Sequence, residues 1–373
     1  MLNFLKQTRK FVNNAKEPIC IVLGNESCDL DSAVCAVSMA YFYQNNIDSS
    51  LNKPKAYNYL PVLNIPKRDY PLKTEVKYLF QENNINEEWL TFKDELNEDF
   101  LKDSAFVLVD HHVSPWLKNC IAIYDHRPKD ASAVIPEKCE LHLNLVGSGA
   151  TLVAEQFLNA KILDASVKEI LNLLRSTIVL DTVNFSQSAA RATPKDVEIC
   201  LALENVLEKF NCLHSREALF ESLVKARADV GSLTASQLLR KDLKILTSNK
   251  NGGNNNIAIP GFPLLVQHFI SKPGAEDAVR EFAQEFKCSI VLLMGMFVQP
   301  EDNSVHRDFG LINISDSIMC ESIEKCLLSL DEPKLGIELY NNCNFMDGSF
   351  YKQQNIKVTR KHVLPIVKNI LDQ

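Results

Sequence analysis

The fold of this chain is indicated most clearly by one stretch, Ile19-Cys20-Ile21-Val22-Leu23-Gly24-Asn25-Glu26-Ser27-Cys28-Asp29-Leu30-Asp31-Ser32. Its first five residues are apolar and predict a buried strand, Gly24 predicts a turn, and the apolar residues after Ala33 recur at helical spacing. Asp29 and Asp31 therefore follow the carboxyl end of an early strand, where open α/β sheets bind their ligands. Carboxylate oxygens are also the ligands that Mg²⁺ and Mn²⁺ prefer.

A purely structural role for these two carboxylates remains open at this point. Asp29 could serve only as a helix N-cap, and Asp31 only as a favourable charge in the first helical turn. Three further apolar runs end in the same way, and the polar residues that follow them are Asp110, Asp125-His126 and Asp181. In one parallel sheet, these four strand ends would lie along a single edge and bury charges that repel each other. The pattern thus predicts a bound cation.

Composition and charge limit the possible functions. The 373 residues predict two domains, and 46 % apolar composition is enough for two cores. A net charge of −7 argues against a general nucleic-acid surface, so an anionic substrate would need local positive charge or metal ions. The eleven cysteines are scattered without a CxxC pair, which predicts reduced thiols in a cytoplasmic protein. No apolar window is long enough for a membrane span.

The N-terminal segment, Met1 to Lys16, is basic and allows two interpretations. Mitochondrial transit peptides have this basic, amphipathic character. The segment is short and contains no Ser, which favours a surface helix packed beside the first strand.

The motifs, taken in order, resemble those of the DHH phosphoesterases with a C-terminal DHHA2 domain, and within them the prune and short-chain exopolyphosphatase branch. The resemblance covers nearly the whole chain. The turn at Gly24–Ser32 is similar to the first motif of that branch, where Asn replaces the His of family II pyrophosphatases. Asp110 resembles the Asp of the second motif, Asp125-His126-Arg127-Pro128 the third motif, and Asp181 the Asp of the fourth.

The resemblance implies an α/β fold with two domains. Residues 1–208 would form a parallel-sheet DHH domain, and residues 209–373 a smaller α/β DHHA2 domain, with the active site in the cleft between them. The segment Phe210–Ser215 is the expected linker.

The resemblance also implies two divalent metal ions, Mg²⁺ or Mn²⁺, with Co²⁺ possible. One ion would be held by Asp29, Asp110 and, weakly or through water, Asn25, and the other by Asp31, Asp110, His126 and Asp181. The literal string Asp110-His111-His112 falls at the second motif, so His126 is the implied His ligand. Arg127 stands where the family has a His that touches phosphate, and a guanidinium can make that contact in bidentate form.

Two short segments of the second half resemble the substrate-facing motifs of DHHA2 domains. Lys244 closes the segment Leu238–Lys244, and Arg360 and Lys361 lie in Thr359–Pro365. Alone, both are ordinary charged segments. Their position and order imply that the three cations contact substrate phosphates.

The implied activity is release of terminal orthophosphate from short inorganic polyphosphate, by attack of a water that two metal ions activate. Three alternatives stay open: inorganic pyrophosphatase activity, cyclic-nucleotide phosphodiesterase activity, or a regulatory binding protein that uses its surface for protein partners. The expected partner is a small phosphate anhydride, and neither polymeric nucleic acid nor a membrane is expected.

Overall fold

The computed structural model describes residues 1–14, 18–46, 57–248, 256–299, 302, 304–330, 332–341 and 343–372. The chain folds as two compact units, Met1–Ala228 and Asp229–Gln373. The predicted boundary at residue 208 precedes the helix Arg216–Ala228, which packs on helices of the first unit. The predicted linker, Phe210–Ser215, joins that helix to the one before it.

The first unit is built on a parallel sheet with the strand order β2-β1-β3-β4-β5. The strands are β1 (Ile19–Leu23), β2 (Asn58–Val62), β3 (Ala105–Val109), β4 (Cys120–Asp125) and β5 (Glu140–Leu143). Every residue of β1 is buried, because its two faces contribute to two separate apolar clusters. This is why β1 reads as a continuous apolar run rather than an alternating one.

The first unit's helices pack around this sheet. They are α1 (Leu2–Thr8), α2 (Phe11–Asn14), α3 (Leu30–Asn46), α4 (Thr74–Glu82), α5 (Glu98–Asp103), α6 (Gly149–Asn159), α7 (Lys168–Asp181), α8 (Pro194–Glu208) and α9 (Arg216–Ala228). The predicted N-terminal helix is thus two short helices, and Lys16 lies outside the described residues. Phe4 and Leu5 of α1 are buried in the larger apolar cluster. No helix among the described residues has both the length and the apolarity to cross a membrane.

One predicted strand is wrong. Ile178-Val179-Leu180 is the last turn of α7, so Asp181 ends a helix. Ten residues of α7 are buried, from Ile170 to Leu180 with one gap, because helices cover it on several sides. A short apolar run inside a helix that is buried almost all round cannot be distinguished from a buried strand by periodicity.

The second unit has a mixed sheet with the order β10-β11-β9-β8-β7-β6. Its strands are β6 (Asp242–Thr247), β7 (Asn256–Phe262), β8 (Cys288–Val298), β9 (Val305–Asn313), β10 (Ile337–Leu339) and β11 (Gly348–Gln353). Its helices are α10 (Ala235–Lys241), α11 (Val266–Ile270), α12 (Ala275–Glu285), α13 (Ser317–Leu328) and α14 (Arg360–Leu371). The predicted α/β class of both units is therefore confirmed.

Candidate metal centre

The candidate site lies at the carboxyl ends of β1 and β3. Strand β2 lies on one side of β1 in the sheet, and β3 lies on the other side. The strand order therefore reverses between β1 and β3. Loops that leave such a pair of strands diverge to opposite faces of the sheet and open a crevice for ligands. Asp29 and Asp31 follow β1, Asp110 follows β3, and His126 follows β4, so three of the four predicted strand ends share this edge.

Asp110 is the most constrained residue of the site. Its φ is +60°, in the left-handed region that Asp tolerates better than most residues, and its N–H donates to the Tyr124 carbonyl over 2.8 Å. Its carboxylate is 1 % exposed. Oδ2 accepts hydrogen bonds from Asn25 Nδ2 (2.7 Å) and Ser32 Oγ (2.6 Å). Oδ1 is buried and accepts no hydrogen bond from any described residue, which leaves an oxygen lone pair for a cation.

Asp31 is fixed by the start of α6. Its Oδ2 accepts from the Gly149 N–H over 2.7 Å, and its Oδ1 from the Ala150 N–H over 2.8 Å. Gly149 permits this approach, since a Cβ there would lie 3.1 Å from Asp31 Oδ2. Ser148 Oγ and Cys35 Sγ each lie 3.2 Å from Asp31 Oδ1 as further donors. The helix N-terminus therefore holds this carboxylate in one orientation.

His126 completes a three-residue cluster. Its Nδ1 lies 3.0 Å from the Val146 carbonyl, which can only accept, so Nδ1 carries the proton and the neutral ring has its lone pair on Nε2. Nε2 is 3.2 Å from Asp110 Oδ1 and 3.7 Å from Asp31 Oδ2. One ligand atom from each of these three residues lies within 4.8 Å of the other two. The donor set suits a divalent cation such as Mn²⁺ or Mg²⁺.

The electrostatics agree with this donor chemistry. Burial and the Asp110 charge raise the pKa of Asp31 to about 7. Burial opposes a charged His126, but the Asp110 and Asp31 carboxylates outweigh it and raise the His126 pKa to about 9. Burial and a neighbouring carboxylate also raise the pKa values of Asp29 and Asp181. So much clustered negative charge needs either protons or a cation to be stable.

Asn25 and Arg127 both contact Asp110. Asn25 turns its amide nitrogen toward Asp110, while its Oδ1 accepts from the Ser27 N–H (2.8 Å) and hydroxyl (2.6 Å). The amide oxygen that was predicted to face a metal is thus used within the turn. Arg127 Nη2 lies 3.0 Å from Asp110 Oδ1, Nη1 donates to the Asp110 carbonyl, and the side chain is 45 % exposed.

Asp29 and Asp181 lie close to the cluster without entering it. The Ser32 N–H donates to Asp29 Oδ1 over 3.2 Å, so Asp29 caps α3. Ser148 Oγ lies 2.7 Å from Asp181 Oδ2 and 3.2 Å from Asp31 Oδ1. A hydroxyl has only one proton to donate, so these two carboxylates compete for it.

The two histidines of the literal DHH string are held elsewhere. His112 is buried, its Nδ1 pairs with Asp125 Oδ2, and its Nε2 accepts from the Asp130 N–H over 2.7 Å. His111 Nδ1 bonds to the Val109 carbonyl over 3.0 Å, and burial lowers the His111 pKa. Neither ring therefore belongs to the acidic cluster found among the described residues.

The predicted cations of the second unit differ in their contacts. Arg360 begins α14 and forms an ion pair with Asp242 at 2.5 Å; its Nη1 also donates to the carbonyls of Asp242 and, over 3.1 Å, Ile259. Lys244 is exposed on β6, and Lys361 is exposed in the first turn of α14. Arg360 thus stabilises its own unit, whereas the two lysines present their side chains to solvent.

Comparisons with known proteins decide the family. A model described as the DHHA2 domain matches residues 221–370. Exopolyphosphatase PRUNE1 of Bos taurus is 32 % identical over 381 residues, covering 100 % of this chain and 79 % of the relative. The chain belongs to the prune family. The human exopolyphosphatase PRUNE1 is 30 % identical over 383 residues with the same coverage. A putative exopolyphosphatase of Schizosaccharomyces pombe is 26 % identical over 378 residues, covering 94 % of this chain and 91 % of the relative. The membership predicted from the motifs is confirmed.

Three residues of this prune-family site were given no role from the sequence, although Ser32 and Asp125 lie inside quoted motifs. Ser32 donates to Asp110, and Ser148 lies between Asp31 and Asp181. The third, Asp125, is fully buried, and its Oδ1 accepts from the His126 N–H over 2.7 Å. Ser148 is the N-cap of α6, and Asp125 is the first residue of the third motif. Nothing in the sequence says that these side chains hold the ligands rather than the turns.

Proposed function

We propose that this chain is a metal-dependent exopolyphosphatase that releases terminal orthophosphate from short inorganic polyphosphate. The observation that carries the proposal is the buried cluster of Asp31, Asp110 and His126, in which Asp110 Oδ1 accepts no hydrogen bond from the described residues and lies 3.2 Å from His126 Nε2. The cluster lies at the strand-order reversal of a sheet in a chain of the prune family. A phosphohydrolase of this family acts on phosphate anhydrides, and short chains are the substrate class that we assign.

The proposed metal ligands are all in the first unit. Asp31, Asp110 and His126 would hold one divalent ion together with Asp181, while Asn25, Asp29 and Asp110 would hold the other. Coordination by Asn25 requires its amide to turn over, because the oxygen now faces Ser27. When bound, the ions would lower the pKa of a water and neutralise charge that develops on phosphoryl oxygens.

Arg127 is proposed to bind the phosphoryl group that is transferred. Its side chain is half exposed and reaches Asp110, so with metal on the carboxylate its guanidinium becomes available for a phosphate. Asp125 Oδ1 accepts a hydrogen bond from the backbone N–H of Arg127 over 3.3 Å, which fixes the backbone from which the Arg127 side chain extends. Ser32 and Ser148 hold the carboxylates in orientation throughout.

The second domain is proposed to supply the remaining positive charge. Lys244, Arg360 and Lys361 would neutralise the rest of a polyphosphate, as the family pattern implies. The first unit's site is rich in carboxylates, so a polyanion needs counter-charges from elsewhere once the metals are bound.

The proposal is tested by orthophosphate release from tripolyphosphate with added Mg²⁺ or Mn²⁺, with and without EDTA. We expect metal-dependent release from tripolyphosphate, slower orthophosphate release from pyrophosphate, and slower formation of AMP from cyclic AMP, with all substrates supplied at equal concentration. Faster cleavage of pyrophosphate or cyclic AMP would replace the substrate assignment with one of the two enzymatic alternatives. Absence of any hydrolysis with either metal would contradict the enzyme proposal and favour a regulatory binding protein.

A further inference from the structure

A second cavity of the first unit lies between α4, α7 and α9, apart from the residues of the metal cluster. Its volume is about 280 Å³, near the lower end of small-molecule pockets. Arg175 of α7 lines it, together with Tyr78 and Leu79 of α4 and Ala218 and Leu219 of α9. The cavity thus combines one cation with a mixed wall, in which Leu79, Ala218 and Leu219 form the apolar part and Asn83, Asn172 and Ser222 a polar part.

Arg175 has an unused hydrogen-bond donor. The residue is 1 % exposed, its Nε donates to Glu204 Oε1 over 2.8 Å, and its Nη2 donates to the His214 carbonyl over 2.9 Å. Nη1 is buried and finds no acceptor among the described residues. A buried guanidinium proton without an acceptor costs free energy, which a ligand oxygen would recover.

The charges around Arg175 favour an anion with a single charge. Arg216 Nε also lies 3.0 Å from Glu204 Oε1, so two guanidinium groups face one carboxylate. This leaves one positive charge in excess inside the cavity wall. Glu82 lines the cavity too, but it is exposed, and solvent screens its charge. A doubly charged phosphate would have too little compensation here.

We propose that this cavity binds a small carboxylate with an apolar body. The carboxylate would accept from Arg175 Nη1, and the body would pack against Leu79 and Leu219. The site is independent of the proposed hydrolase activity, since none of the residues in its wall belongs to the metal cluster or to the predicted substrate cations.

The test uses benzoate as the probe, benzamide as its neutral counterpart, and the full chain in EDTA, with binding followed by ligand-detected NMR. Three variants accompany the wild type. Ala218→Phe fills the cavity from α9, Ser222→Trp fills it from the next turn, and Val224→Phe adds the same ring as Ala218→Phe at an exposed position outside the lining.

We expect saturable benzoate binding to the wild type and to Val224→Phe. Binding should be lost in both Ala218→Phe and Ser222→Trp, and benzamide should bind at least about tenfold more weakly, because the charge-assisted hydrogen bond is missing. Arg175→Lys, which keeps the charge but has one donor nitrogen instead of three, should weaken benzoate binding by a similar factor.

Several outcomes would overturn the inference. The first is the absence of saturable benzoate binding to the wild type, which is expected of a cavity that holds only water. The second is equal binding of benzamide and benzoate. The third is undiminished benzoate binding to a filling variant that is folded by circular dichroism. If orthophosphate binds to the cavity more tightly than benzoate and displaces it, the assignment of a singly charged ligand is wrong.

Discussion

At the scale of the residue, Asp110 is where backbone, hydrogen bonding and charge meet. Its positive φ turns the side chain out of β3, and its two carboxylate oxygens have different roles. Oδ2 is held by Asn25 and Ser32, whereas Oδ1 accepts no hydrogen bond from the described residues and faces His126 and the half-exposed Arg127. Such division between a fixed oxygen and an available one is what a metal-binding carboxylate requires.

Asp110→Asn should abolish phosphate release with little loss of folding. The amide has the same volume, but it removes the negative charge that a divalent ion needs. Orthophosphate release from tripolyphosphate is the measurement, with circular dichroism as the check on folding. Asp103→Asn, an exposed carboxylate at the end of α5, is the matched control and should keep full activity. A tenfold loss of activity corresponds to about 1.4 kcal/mol in the activation free energy. Retention of more than a tenth of the activity would therefore contradict a role of Asp110 as a metal ligand.

Asn25→His should shift metal preference from Mg²⁺ toward Mn²⁺ or Co²⁺. An imidazole nitrogen suits transition metals, whereas an amide oxygen suits hard ions. Metal titrations of the wild type, of Asn25→His and of Asn25→Ala would measure the ratio of affinities. Asn25→Ala controls for loss of the hydrogen bond to Asp110. If the ratio is the same in all three proteins, Asn25 positions Asp110 and does not bind metal.

At the scale of the element, the turn between β1 and α3 supplies one side of the candidate site and contacts Asp110. Ser32 in the first turn of α3 accepts from the Asn25 N–H over 3.1 Å and donates to Asp110, so one hydroxyl joins the turn to β3. The turn must pass close to the helix for this contact. At Gly24 a Cβ would lie 2.7 Å from Ser32 Cβ and 2.8 Å from its carbonyl oxygen.

Gly24→Ala should destabilise the first unit by roughly 1–3 kcal/mol, because the added methyl group forces α3 away from β1. It should also weaken metal affinity through the displacement of Ser32. Urea unfolding and a metal titration are the measurements. Glu26→Ala changes an exposed side chain two residues later in the same turn and should alter stability by about 0.5 kcal/mol or less. Equal effects of both variants would show that the turn does not need the close approach.

At the scale of the whole molecule, the carboxylates and the exposed lysines belong to different units. The metal cluster lies in Met1–Ala228, and Lys244 and Lys361 lie in Asp229–Gln373. The hydrolase proposal therefore needs both units, whereas metal binding needs only the first. Arg360 is a poor reporter of substrate binding, because its contacts with Asp242 and Ile259 support its own unit.

Lys361→Ala should lower kcat/KM for tripolyphosphate by about tenfold or more without changing metal affinity. The lysine is exposed and available for a charge-assisted phosphate contact, which contributes roughly 1.5–3 kcal/mol. Lys357→Ala removes an exposed lysine just before α14 and serves as the matched control. Unchanged kinetics of Lys361→Ala would remove this residue from the proposed substrate site, and equal loss in both variants would indicate a general charge effect.

The sequence by itself determined the class of the fold and the first strand, turn and helix, because those features rest on local patterns. Five buried apolar residues predict β1, and the strands before Asp110 and His126 follow the same rule. The order of the motifs also identified the family. Asp181 shows the limit of such patterns, since burial of α7 on several sides erased the helical period that would have distinguished it from a strand.

Only the tertiary structure decided which side chains meet and how each is oriented. Asp31 and Asp110 are far apart in the chain, and they converge because the strand order reverses between β1 and β3. Contacts from distant loops set the direction of the Asn25 amide, the position of the proton on His126 and the sharing of Ser148 by two carboxylates. Such contacts leave no periodic trace in the sequence, because hydrogen bonds depend on distance and direction in space rather than on spacing along the chain.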